Sequence, residues 1–253
     1  MNAFRIIVLI AVLGAIVWQQ WKWRSACKAA AAKILRELTT MYRAEHEYRV
    51  VSPADFPAVD PTGYARVRES LEASGFRHLG AVENLTVSRV YPAQRTFMEC
   101  YANATEQLGA YTYRIAQYQV VDIGCFLSDG RYLLTTNAEA DKLTPAPSVL
   151  KLSMPADTPV EGLLARHASR LAELRAVSPV TTATDLDEAV AIARRYSGVV
   201  GEYRRRVGYI TEEELLRLAA KGQAATARRV WSYFDALREP KPLDLRKNAG
   251  DQS

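Results

Sequence analysis

Across residues 76–137 apolar side chains recur at every second position, and this rhythm limits the fold more than any other feature of the chain. Tyr111, Tyr113 and Ile115 fall on one side, Thr112 and Arg114 on the other. Val121, Ile123, Cys125 and Leu127 form a second set, and Leu85, Val87 and Arg89 alternate with Thr86, Ser88 and Val90. Residues 96–102 and 131–136 supply two more runs. Successive side chains of a strand point to opposite faces, so this period reads as half-buried strand. Tyr91-Pro92, Gly109 and Ser128-Asp129-Gly130 interrupt the runs. Asp-Gly suits a two-residue turn with positive φ. Five short strands with turns between them predict an antiparallel five-stranded meander. Such a sheet has to cover its apolar face, and the helices on either side are the natural cover, which makes the fold class α+β.

The flanks read as helix. Four alanines at 29–32 precede Ile34, Leu35, Leu38, Met41 and Tyr42 at helical spacing, and Pro53, Pro57 and Pro61 stop that helix. A helix over 61–74 carries Tyr64, Val67 and Leu71 on one face and closes on Gly75. Residues 138–157 hold Pro145, Pro147 and Pro155 and read as loop. Thr158-Pro159 with Glu161 has the capping-box pattern, and Val160, Leu163, Leu164, His167, Leu171 and Leu174 trace the buried face of the helix behind it. Thr184 opens a further helix with Asp185, Asp187 and Glu188 in its first turn, predicted to reach Tyr196 before Ser197-Gly198. Thr211 and Glu214 form a second capping box. The helical stretch behind it carries Leu215, Leu218, Val230, Trp231 and Phe234, with a break at Gly222.

The first 24 residues stand apart. From Ile6 to Trp18, 13 residues carry no polar side chain. Phe4 to Trp21 is 18 residues, about 27 Å of helix at ~1.5 Å per residue, against a hydrocarbon core of about 30 Å. The WQQWKWR that follows is bulky and basic, where a cleaved signal peptide has small neutral residues. The expectation is an N-terminal transmembrane helix, a single-pass signal-anchor. Its lipid-facing residues are Phe4, Ile6, Ile7, Val8, Leu9, Ile10, Val12, Leu13, Ile16, Val17, Trp18 and Trp21. Lys22, Arg24, Lys28, Lys33 and Arg36 outweigh Arg5, which places the bulk of the chain on the cytoplasmic side of the cell membrane. The lipid bilayer is then a partner. Lys22, Arg24 and Lys28, with the Arg204-Arg205-Arg206 run, are its candidate contacts to an anionic surface.

Several chemistries lack their parts. No G-x-x-x-x-G-K-[ST], G-x-G-x-x-G or G-x-S-x-G motif occurs. Three Cys do not make a disulfide framework, and no pair has metal-site spacing. The only histidines are His46, on a charged helix and expected to be solvated; His78, at the start of the sheet; and His167, on an apolar helix face and expected as a satisfied core or edge residue. Cys100 and Cys125 lie in strands as small hydrophobes, and Cys27 is expected as an unmodified thiol. No catalytic, metal or cofactor residue is assigned. Glu99 and Asp122, on neighbouring strands, are the one carboxylate pair to consider for acid/base work.

Charge is uneven. Residues 1–50 carry 8 basic and 3 acidic side chains, net +5; residues 51–148 carry 8 and 11, net −3; residues 149–253 carry 17 and 14, net +3. Acidic residues are interleaved with the arginines near 194–206, so nucleic acid is not an expected partner. Tyr91, Tyr101, Tyr111, Tyr113, Tyr118 and Tyr132 concentrate in the sheet.

The organisation read from these signals is an anchor at 1–24, a juxtamembrane helix at 25–52, an α+β sheet domain at 53–157, a C-terminal helical region at 158–238 and a disordered tail at 239–253. The leading expectation for function is a non-catalytic interaction or scaffold module on the cytoplasmic face, binding another protein or its own copy. A small-molecule or lipid sensor using a tyrosine-rich curved sheet comes second. An enzyme using sheet carboxylates comes third.

Overall fold

A computed structural model describes residues 3–138, 143–174, 177–180 and 183–238, with side chains described from residue 17 onward. The described chain divides into two compact units, one with residues 3–39 and 206–238, the other within residues 40–205.

The larger unit is built on one sheet of seven strands: β1 (Tyr48–Val50), β2 (Arg77–Asn84), β3 (Met98–Asn103), β4 (Leu108–Ile115), β5 (Tyr118–Phe126), β6 (Tyr132–Thr136) and β7 (Val149–Ser153). Their order in the sheet is their order in the chain. Neighbours from β1 to β6 are antiparallel, and β7 lies parallel to β6. The fold is therefore α+β with a mixed seven-stranded sheet, where five antiparallel strands were expected. β7 falls inside the stretch expected to be loop. β1 follows a helix that ends at Tyr42, well before residue 52. Residues 85–90, expected as a strand, form the short helix α3 (Leu85–Val90). Their Leu/Val/Val spacing serves either period, and the Asn84 side chain decides it by accepting the Val87 N–H at 3.1 Å. The strand lies just before, in β2.

Helices cover both faces of this sheet. α2 (Thr62–Ala73) and α4 (Val160–Glu173) close one face, where Leu71, Tyr101, Ile123, Cys125, Leu133 and Leu163 pack together. On the other face Val82, Cys100, Ala102 and Tyr111 pack against Ala189, Val190 and Ala193 of α5 (Leu186–Arg206). Farther along that face, Phe126, Tyr132, Leu134 and Val149 meet Tyr196, Val199 and Val200. α5 thus runs straight through Ser197-Gly198. A Cβ at Gly198 would lie 3.2 Å from Glu45, and one at Gly201 3.5 Å from the Tyr42 carbonyl, so small residues let α5 approach the end of α1 closely. The tighter signals hold as expected. Gly75 closes α2 with φ 83°, and Gly130 turns the β5–β6 hairpin with φ 85°. Thr158 makes no capping bond: Pro159 is the N-cap of α4, without a side-chain bond.

In the smaller unit, Thr211 and Glu214 form their capping box at α6 (Glu212–Leu218), and Gly222, with φ 84°, separates it from α7 (Ala224–Leu237). Phe234, Ile210 and Ala31 of α1 (Ala3–Tyr42) are fully buried there, and Cys27 of α1 is buried.

The single-pass reading is corrected: among the described residues no helix is long and apolar enough to cross a membrane. Beyond Val17, α1 carries Lys22, Arg24, Lys28, Lys33, Arg36 and Glu37, a charge on nearly every turn. The signal-anchor and the cell-membrane location fall with it. The anchor side chains Phe4, Ile6, Ile7, Val8, Leu9, Ile10, Val12, Leu13 and Ile16 lie outside the described side chains; Val17, Trp18 and Trp21 are described and exposed. The tail at 239–253 lies outside the described residues.

Candidate functional site

The sheet buries two acidic side chains, and each is met by arginine. Glu99, near the start of β3, is fully buried on the α2 face. Arg68 reaches it from α2 through a charged hydrogen bond, and the Tyr101 hydroxyl, two residues along the same strand, donates to its other oxygen. His78 Nε2 stands 3.9 Å from Glu99 Oε1, and its ring lies 5.1 Å from that of Tyr101. Burial, followed by the neighbouring Arg68 charge, holds the His78 pKa below its ordinary value. Burial and the Glu99 carboxylate push the Tyr101 hydroxyl up, so it stays protonated and donates. Arg68 falls on the same helical stripe as Tyr64 and Leu71, four and three residues away. That spacing is the signal that could have revealed it.

The second acid is Glu83 of β2, 1% exposed. Arg95 grips it with Nε at 2.8 Å and Nη2 at 3.1 Å, and Arg49 Nη2 adds a bond of 2.7 Å. The Arg95 bond, against the opposing effect of burial, holds the Glu83 pKa down to about 2. Arg49 is cross-strand from Glu83 in the β1–β2 register, a pairing hidden from sequence because β1 was not foreseen.

A third group has the outline of a nucleophile and base. Cys125 Sγ lies 3.7 Å from His167 Nε2, and His167 Nδ1 lies 3.0 Å from Thr135 Oγ1. All three residues are fully buried. Burial pushes the thiol up to about 12 and the imidazole down to about 4. A nucleophilic cysteine needs the thiolate and a route for substrate; here both partners are neutral and sealed between α4 and the sheet. His167 is thus the satisfied core histidine its helix position predicted.

The other expected residues fall apart. Glu99 aligns across the sheet with Thr112 and Val121, whereas Asp122 aligns with Tyr111 and Cys100. The two carboxylates therefore point to opposite faces and cannot share a proton. Asp122 instead accepts the Tyr113 hydroxyl at 3.0 Å. Of the sheet tyrosines, Tyr111 donates to the Ala189 carbonyl at 3.0 Å and Tyr132 packs edge-on against Phe126, whereas Tyr91 and Tyr118 are exposed. Lys22, Arg24 and Lys28 are exposed on α1, with Lys22 5.1 Å from the Trp18 ring centre. Arg205 and Arg206 are exposed, and Arg205 donates to the Tyr42 carbonyl at 2.5 Å. Arg204 is buried and donates to the Thr144 carbonyl, so it presents no surface charge. His46 is not solvated on a helix: it follows the bend after α1, half-buried, with both ring nitrogens bonded.

An open groove on the described surface is lined by Thr105, Glu106, Gln107, Leu171, Pro179 and Val180. None of the buried acids or the Cys125–His167 pair lines it. Comparison with protein families, with curated proteins and with solved structures returns no match.

Proposed function

We propose that the chain is a non-catalytic interaction module whose contact surface is the exposed start of the described part of α1. The observation that carries this reading is a contrast of exposure. The Glu83 and Glu99 carboxylates and the Cys125–His167 pair are fully buried, while Trp18, Trp21 and Trp23 stand 57%, 59% and 40% exposed. Trp18 and Trp21 stack with ring centres 5.3 Å apart and planes 25° apart, forming one flat apolar surface. Lys22 lies 5.1 Å from the Trp18 ring centre, and Arg24 and Lys28 are exposed farther along the same helix. Tryptophan beside basic residues is the composition of binding hot spots, where a large rigid ring supplies apolar area at little entropic cost. Leaving such rings in water is unfavourable by the area they expose, so a partner that covers them has a driving force.

The test is co-purification of the full chain from its own cells, with mass determination by light scattering, for the native protein and for Trp18→Ser/Trp21→Ser. The reading expects a recurrent stoichiometric partner, or a self-associated species, that the double variant loses. A clean monomer with no recurring partner refutes it. A partner retained in the double variant moves the contact surface elsewhere.

A further inference from the structure

We propose that His46 is a proton-sensitive latch: its neutral imidazole holds Asn84 as the N-cap of α3, and a second proton on the ring releases that cap. The bend after α1 places His46 where three elements meet. Its Nε2 lies 3.1 Å from the Met41 carbonyl in the last turn of α1. Its Nδ1 lies 2.9 Å from Asn84 Nδ2 at the end of β2. Its backbone N–H donates to Ser197 Oγ of α5 at 3.0 Å.

The partners fix the protons. A carbonyl only accepts, so Nε2 carries hydrogen and donates to Met41. Asn84 Oδ1 is already committed to the Val87 N–H at 3.1 Å, so its amide group faces the ring and donates to a bare Nδ1. All three bonds are made at once only by a neutral ring with its proton on Nε2. A doubly protonated ring donates from both nitrogens. Nδ1–H would then face the Asn84 NH2, donor against donor. Relief comes in one of two ways: Asn84 turns its oxygen to the ring and abandons Val87, or the ring leaves its socket. The cap of α3, or the tie between α1 and β2, is lost either way.

No neighbouring charge compensates. The segment between α1 and β1 carries Arg43, Glu45 and Glu47, and Glu47 is held by Arg89 at 3.0 and 2.6 Å. From β1 the Tyr48 ring lies 6.4 Å away. α5 presents Arg194, Ser197 and Arg205, the last bonded to the Tyr42 carbonyl. Among the described residues His46 has no carboxylate partner. Burial holds its pKa below 6.5, against the opposing pull of the Met41 bond. The latch is therefore closed at neutral pH and opens on acidification.

The experiment follows the Val87 amide of the full chain by hydrogen exchange, corrected for the intrinsic rate, from pH 8 to pH 5, alongside the His46 ring resonances. The expected result is a loss of Val87 protection of roughly fivefold, the worth of an asparagine cap, along the His46 titration. Asn84→Asp supplies the control. A carboxylate accepts from both Val87 N–H and a protonated Nδ1, so the variant should keep its protection on acidification and raise the His46 pKa above the native value. Val87 protection that stays constant through the His46 titration overturns the proposal. So does an equal loss in Asn84→Asp, or an equal loss at Ala65 in α2, which marks general loosening. The Ala65 comparison needs only the native chain, so it decides the matter even if the variant fails to fold.

Discussion

Replacing Glu83 with Gln should weaken the fold by about 2 kcal/mol at pH 7, and the loss should vanish in acid. The magnitude follows from the buried carboxylate and its grip by Arg95 and Arg49. A carboxyl ordinarily titrating at 4.5 and held at about 2 gains roughly 3 kcal/mol at ~1.4 kcal/mol per pH unit. Arg95 and Arg49 are themselves 50% and 57% exposed, so solvent screens the pair and about 2 kcal/mol is the reasonable share. The folded pKa is depressed. The stabilisation is therefore complete above pH 4.5 and fades as pH falls through about 2. Gln keeps the shape, turns one acceptor oxygen into an NH2 donor facing arginine, and has no charge to titrate. The assay is urea unfolding of both proteins at pH 7, 5, 4, 3 and as near 2 as folding allows. Taking the difference at each pH cancels every other titrating group. A difference below about 0.5 kcal/mol at pH 7, or one that stays constant into acid, would refute the reasoning.

Three further outcomes follow from the same packing. The His167 resonances should titrate near pH 4. Because its folded pKa is depressed from 6.5, the stability it contributes is full above that value and declines between pH 6.5 and about 4; a histidine titrating near 6.5 would place the ring in water. Cys27, Cys100 and Cys125 are all buried, so a bulky disulfide reagent should label no thiol of the native chain and three after urea, with rapid native labelling the contrary result. Gly124→Ala should cost about 2 kcal/mol or more by thermal unfolding, since the added Cβ would sit 2.6 Å from Cζ of the buried Tyr132 ring. An unchanged melting temperature would show that the ring can move aside.

The parts of this fold legible in sequence are those fixed by adjacent residues. Gly75, Gly130, Gly222 and the Thr211/Glu214 box each act within one turn, and each behaves as its chemistry requires. Most of what sequence hid depends on distant partners, α3 with its local Asn84 cap and the missing Thr158 cap being the exceptions. Residues 149–153 become a strand because β6 offers them a parallel edge, a pairing with no local signature. α5 passes Ser197-Gly198 because the end of α1 packs there and rewards small residues; tertiary packing overrides the helix-breaking tendency of glycine. The candidate site divides the same way. His167 was placed correctly because its helix stripe is unmistakable. Its meeting with Cys125, the arginine grip on Glu83 and the separation of Glu99 from Asp122 all rest on strand register. A slip of one residue would exchange the two faces.

The sequential order of the seven strands also has a consequence for biogenesis. Every strand from β2 to β7 pairs with the strand made just before it, so the sheet can grow as it leaves the ribosome. Its two covers arrive at different times. α2 precedes most of the strands, whereas α5 closes the Tyr111 and Tyr132 face only after residue 206 has been made. During that interval a finished, sticky plane waits without its lid. Chains stalled between residues 154 and 185 should be the ones that chaperones seize and that aggregate.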